Sequence, residues 1–86
     1  MEALNTNNQT QTTELHHLSI PTMIPLKKVV HHTGLSSTTI YDMLDQKSKR
    51  YDPTFPTQVK LSEGRVAWVE REVAKWLEDK IAARIH

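Results

Sequence analysis

After a polar start, the chain alternates short apolar runs with breaks that change their period. The run Leu26 to Thr33 is followed by Gly34-Leu35-Ser36 and then by a second run containing Ile40, Met43 and Leu44. Apolar residues three and four positions apart lie on one helical face, so the pattern predicts two helices separated by a turn. Pro25 suits the first position of the first helix, where its missing N–H is not needed and its φ is already helical. Val29 and Val30 are expected to face inward. Gly34 fits the left-handed position that ends a helix, and Ser36 fits a cap whose hydroxyl accepts a free backbone N–H of the next.

The period then breaks. Lys47 to Pro56 carries two prolines and no helical repeat, so it reads as a loop. Val59-Lys60-Leu61 and Val66-Ala67-Trp68 alternate apolar with other residues about the turn residues Ser62-Glu63-Gly64, the signature of a hairpin. Val59, Leu61, Val66 and Trp68 are expected on the core side, with Lys60 on the outer face and Arg65 near the tip. From Glu70 onward Val73, Trp76, Leu77, Ile81 and Ile85 repeat at helical spacing. This amphipathic helix is expected to close the core with Trp76 as its largest contribution. Ile81 and Ile85 either cover core or continue the apolar stripe toward a partner.

Helix, glycine turn, helix, hairpin and helix make a mainly α fold with a small β-hairpin, a winged helix-turn-helix. In such a unit the second helix offers small polar residues near its N-terminus to a DNA major groove. Here those are Ser37 and Thr38, with Tyr41 one turn on. Hairpin cations beside such a helix reach phosphates or a minor groove, which singles out Lys60 and Arg65, and the loop adds Lys47, Lys49 and Arg50.

The order and spacing of these pieces resemble the AlpA family of phage and genomic-island regulators, related to excisionases and to the winged domain of the MerR type. The resemblance runs from about Met23 to Leu77. It rests on Thr33-Gly34-Leu35-Ser36, Thr39-Ile40-Tyr41, Tyr51-Asp52-Pro53-Thr54-Phe55-Pro56, Val59-Lys60-Leu61, Trp68, Glu72-Val73 and Trp76-Leu77. It implies a DNA-binding regulator without a catalytic centre, acting on an integrase gene or as an excision factor, with recognition positions at Ser36, Ser37, Thr38, Tyr41 and Asp42 and wing contacts at Lys60 and Arg65. Family members often carry arginine or lysine where this chain has Ser37 and Asp42. An acidic residue facing the groove repels phosphate but accepts from a cytosine amino group. Asp42 therefore either reads a base or turns to a neighbour such as Lys47 or Lys49.

Charge changes this picture only locally. Eleven basic and ten acidic residues leave a formal net of +1, low for a nucleic-acid binder. Between Lys47 and Arg65, five basic residues stand against Asp52 and Glu63, a local +3, whereas Met1 to Pro25 carries only Glu2 and Glu14, a local −2. The near-neutral total leaves a second reading open, a protein-interaction adaptor of the same fold that binds another regulator through its C-terminal stripe or its Asp42 face.

Eighty-six residues allow one domain, expected over 21–86. The Asn-, Thr- and Gln-rich segment 1–20 has too little apolar surface to offset its ordering entropy and is expected to be a disordered arm. No stretch has the length of a membrane span or the pattern of a signal peptide, so a cytoplasmic protein is expected. Without cysteine there is no disulfide and no thiolate metal site. His31 and His32 are adjacent, not spaced four apart as a helical metal pair requires, and His16, His17 and His86 lie elsewhere. No metal, cofactor, small-molecule ligand or enzymatic activity is expected. The expected partner is double-stranded DNA, with self-association on repeated sites compatible with the short reach of one recognition helix.

Overall fold

The computed structural model of the protein describes residues 19–84, so the expected arm, apart from residues 19 and 20, and the apolar Ile85 lie outside the described residues. The elements are β1 (Met23–Ile24), α1 (Leu26–Thr33), α2 (Ser37–Leu44), β2 (Val59–Ser62), β3 (Arg65–Val69) and α3 (Glu70–Ala83). Together they form a winged helix-turn-helix.

The turn between α1 and α2 is set by local chemistry. Gly34 takes a left-handed φ of 74°, where a Cβ is strained, and its N–H donates to the Val30 carbonyl at 2.9 Å. The Thr33 hydroxyl donates to the Val29 carbonyl at 2.8 Å and accepts from the Leu35 N–H at 3.1 Å, binding the two sides of the turn. Ser36 then caps α2 by accepting the Thr39 N–H at 3.1 Å. Pro25 stands one position earlier than expected: it is the extended residue before α1, and its carbonyl accepts from Lys28 and Val29. A cap position uses only that carbonyl, so the missing N–H again costs nothing.

The sheet has a strand that periodicity did not reveal. Its order is β1-β3-β2, all antiparallel, with Met23 opposite Val69 and Ile24 opposite Trp68. The Glu70 N–H donates to the Thr22 carbonyl at 2.8 Å beside this ladder. Central β3 is thereby paired on both edges, and β2 is left as an edge strand.

The expected facing of the wing is corrected. Val59 pairs with Ala67 and Lys60 with Val66, with a shift between Lys60 and Ser62. Directly opposed residues share a sheet face, so Val59 lies opposite in sense to Val66 and Trp68, and Lys60 shares their side. A one-residue difference in register exchanges the faces of a strand. All of β2 is exposed, including Val59 and Leu61, the latter 51% exposed.

The core gathers Ile24, Val29, Ile40, Met43, Phe55, Trp68 and Val73, with Val30, Leu44, Val66, Trp76 and Leu77 partly buried against it. Trp68, not Trp76, is its largest fully buried side chain. Its indole N–H donates to the buried Pro56 carbonyl at 3.1 Å, which satisfies both groups. Trp76 sits at the rim, edge-on to Phe55 with 4.9 Å between ring centres. Ile81 is 52% exposed, beyond the end of the core, so the α3 stripe is only half covered.

Asp52 ties the long loop to α3. Its N–H donates to the Met43 carbonyl at 2.9 Å, and its Oδ1 accepts from the Thr54 hydroxyl at 2.6 Å and the Thr54 N–H at 2.9 Å. The Trp76 indole donates to the same Thr54 hydroxyl at 3.2 Å, while the Lys80 ammonium lies 3.9 Å from Asp52 Oδ2 and over the Trp76 ring. The Thr54 hydroxyl, ahead of the opposing effect of burial and then the Thr54 N–H and Lys80, holds the Asp52 carboxyl below its ordinary value of 3.8. A carboxyl lowered in the folded state adds stability that is complete at neutral pH and fades as the pH falls below the ordinary value through the lowered one. The melting temperature is therefore expected to drop between about pH 7 and about pH 3 by more in the parent protein than in Asp52→Asn. Equal drops would show that Asp52 contributes nothing to acid sensitivity.

Candidate nucleic-acid interface

The two inner-facing positions of α2, Ile40 and Met43, are buried and pin the helix on the core. That fixes the opposite side. Ser37 and Thr38 stand exposed in its first turn, Tyr41 follows at 42% exposure, and Asp42 is half-buried. The Tyr41 and Trp68 rings meet in a T-shaped contact, 6.4 Å between ring centres, so Tyr41 is braced by the buried indole. Ser36 is exposed too, but its hydroxyl is committed to the cap: it accepts the Thr39 N–H and donates to Thr39 Oγ1 at 3.0 Å.

The loop after α2 is rooted on the helix it leaves. Asp45 Oδ1 accepts the Lys47 N–H and its carbonyl accepts the Ser48 N–H, both at 2.9 Å, and Ser48 Oγ accepts the Arg50 N–H at 3.1 Å. These contacts lead Arg50 back alongside α2, where its Nη1 donates to Asp42 Oδ2 at 2.9 Å. The partner of Asp42 is thus Arg50, in place of the expected Lys47 or Lys49. A planar guanidinium with several fixed donors suits a carboxylate better than a flexible ammonium. Lys47 and Lys49 are exposed, with no ion-pair partner among the described residues.

On the wing, Arg65 opens β3 opposite Ser62, across the Glu63-Gly64 turn, and is exposed. Lys60 lies 3.8 Å from Glu63, a distant and solvent-exposed pair of little energetic worth. The structure brings Asp42 and Arg50 into contact, and among the described residues neither Lys60 nor Arg65 forms an ion pair with α2. His31 and His32 are exposed and stack edge to face at 5.5 Å. Among the described residues no group of three or more His, Cys, Asp or Glu could hold a metal ion, and no helix is long and apolar enough to cross a membrane.

What sequence reasoning missed here is the Arg50 partnership and the loop's anchoring. The only signal for the latter was Asp45 two residues before Lys47 and Ser48 two before Arg50, the spacing at which side-chain oxygens bond a following N–H.

Residues 22–81 match the model of the family described as prophage CP4-57 regulatory protein (AlpA). The chain is 38% identical over 66 residues, 77% of its length and 94% of the relative's, to the DNA-binding transcriptional activator AlpA of Escherichia coli strain K12. It is 39% identical over 57 residues, 66% of its length and 58% of the relative's, to the uncharacterized protein ORF88 of Enterobacteria phage P4. No solved structure matches the chain significantly.

Proposed function

The chain belongs to the AlpA family of prophage regulatory proteins, and on that footing we propose that this DNA-binding transcriptional regulator acts at the integrase gene of a prophage or genomic island, or as a directionality factor for its excision. The observation that carries the reading is the exposed polar side of α2, presented on a buried apolar base beside a cationic loop. Ser37, Thr38, Tyr41 and Asp42 face the major groove, with Ser36 acting chiefly by capping. Lys47, Lys49, Lys60 and Arg65 contact phosphates. Because one recognition helix covers few base pairs, specificity comes from several protomers on repeated sites. The adaptor reading draws on the exposed Ile81 of the C-terminal stripe and on the Asp42 face, but an isolated exposed apolar residue is ordinary on a small protein and the Asp42 carboxylate is paired with Arg50.

Selection of bound duplexes from a random pool tests the proposal. Enrichment of repeats about one helical turn apart, found next to an integrase gene or an attachment site in the source genome, is the expected result. No enrichment together with no salt-sensitive binding to the unselected pool favours the adaptor. With about four cations on phosphates, log affinity falls against log salt with a slope of roughly −4. Lys60→Ala and Arg65→Ala are each expected to flatten that slope by about 1 and to weaken specific and random duplexes alike. Titrations at several salt concentrations measure both effects, and an unchanged slope in both variants removes the wing from the interface.

A further inference from the structure

We propose that Asp42 and Arg50 act as one unit that reads a single G·C base pair, Arg50 donating to guanine and Asp42 holding it in place; the inference rests on the DNA-binding reading above. Arg50 Nη1 is bonded to Asp42 Oδ2, and the side chains remain 64% and 35% exposed. Nε and Nη2 of Arg50 and Oδ1 of Asp42 have no hydrogen-bond partner among the described residues. The partly exposed pair therefore keeps guanidinium donors and one carboxylate oxygen unused.

Position favours a role in recognition. Asp42 lies one helical turn after Thr38 on α2, and residues four apart share a face. Arg50 reaches this face because its own N–H is held by Ser48 Oγ and because the loop is fastened to α2 at Asp45 and Met43. The guanidinium is thus brought to the helix before DNA arrives, and less side-chain freedom is lost on binding.

Charge separates base from phosphate. A carboxylate within hydrogen-bonding distance cancels most of the attraction between the guanidinium and a phosphate, and it repels phosphate itself. It leaves the directional N–H donors intact. Guanine offers two uncharged acceptors, O6 and N7, in the geometry of two parallel guanidinium donors, and its paired cytosine offers an N4 donor. A donor fork beside a free carboxylate oxygen complements that edge. An A·T pair, with one acceptor and one donor on adenine, does not match the fork.

The stability of an exposed ion pair is small, so Asp42→Asn and Arg50→Gln are expected to fold with the melting temperature of the parent protein, which circular dichroism checks. Duplex selection is then run on the parent, both single variants and the double variant, followed by titration of the selected duplex and of its four base-pair versions at the affected position. The parent is expected to favour G·C at one position by about tenfold. In Asp42→Asn and in Arg50→Gln the preference falls to about twofold at that same position, the other positions keep theirs, and the double variant is no worse than Arg50→Gln alone. If Asp42→Asn tightens binding to every duplex equally and leaves the motif unchanged, Asp42 is only a repulsive charge and the proposal is overturned. If Arg50→Gln weakens all duplexes equally and flattens the salt slope, Arg50 is a phosphate contact and the proposal again falls. Absence of any enriched motif with the parent protein overturns the DNA-binding reading itself, an outcome distinct from both.

Discussion

Trp68→Ala is expected to leave the protein unfolded at physiological temperature. The side chain is fully buried, its N–H closes on the buried Pro56 carbonyl, and its ring packs against Tyr41. Truncating a buried Trp costs about 3–5 kcal/mol, and a domain this small has total stability on the order of 5 kcal/mol. The loss is thus comparable to the whole. Trp68→Phe separates the contributions: it keeps much of the apolar volume but leaves the Pro56 carbonyl without its donor, at a cost of about 1–3 kcal/mol. Trp76→Ala, at the rim of the core, is expected to cost less than Trp68→Ala. Urea titrations followed by circular dichroism rank the three variants, and a folded Trp68→Ala protein with an unchanged midpoint would contradict the placement of the core.

The same residues show what a single sequence reveals. The end of α1 and the start of α2 were legible because Gly34 and Ser36 act through backbone bonds to residues within four positions. Burial of Ile40 and Met43 followed from helical spacing alone. The order of helices and hairpin was legible for the same reason. β1 was not: two residues carry no alternation, and Met23 and Ile24 are a strand only because β3 supplies their partners. The facing of the wing depends on register, and the shift between Lys60 and Ser62 is a property of the pairing, not of either strand. Trp68 rather than Trp76 anchors the core because it lies fully buried on the central strand, whereas Trp76, midway along α3, stays partly exposed at the rim.

Phe55 is a different failure. Bracketed by Pro53 and Pro56, it lies in a segment whose composition signals a loop, and a loop it is, yet Phe55 is buried in the core. Turn chemistry reports the backbone and is silent on whether one side chain reaches inward. At the interface the exposed positions Ser37, Thr38 and Tyr41 followed from the helical period, whereas the partner of Asp42 lies eight residues on and depends on how Asp45 and Ser48 fold the intervening turns.

Thr38→Ala and Tyr41→Phe are expected to lower affinity for the selected DNA site by roughly tenfold each while leaving affinity for random duplex unchanged. The asymmetry follows from the division of labour at such surfaces. Affinity for random DNA comes from cations on phosphates, and neither substitution alters a charge. Discrimination comes from side chains at base edges, each good contact being worth about 1–3 kcal/mol. Thr38 is exposed in the first turn of α2, where a hydroxyl or methyl group can reach a base. Tyr41 lies three residues on, and its ring is braced by Trp68. Tyr41→Phe preserves that ring contact and removes only the hydroxyl, so its effect on binding is not confused with packing. Tyr41→Ala also forfeits the aromatic pair, about 0.5–1.5 kcal/mol of stability, and should show a lowered melting temperature that Tyr41→Phe does not. The double variant Thr38→Ala/Tyr41→Phe is expected to lose about a hundredfold on the selected site if the two residues read different bases, and less if they share one. Titrations on selected and random duplexes at one salt concentration measure the ratio directly. Equal losses on both would mean that α2 contacts the backbone alone, and that sequence is read elsewhere on the protein.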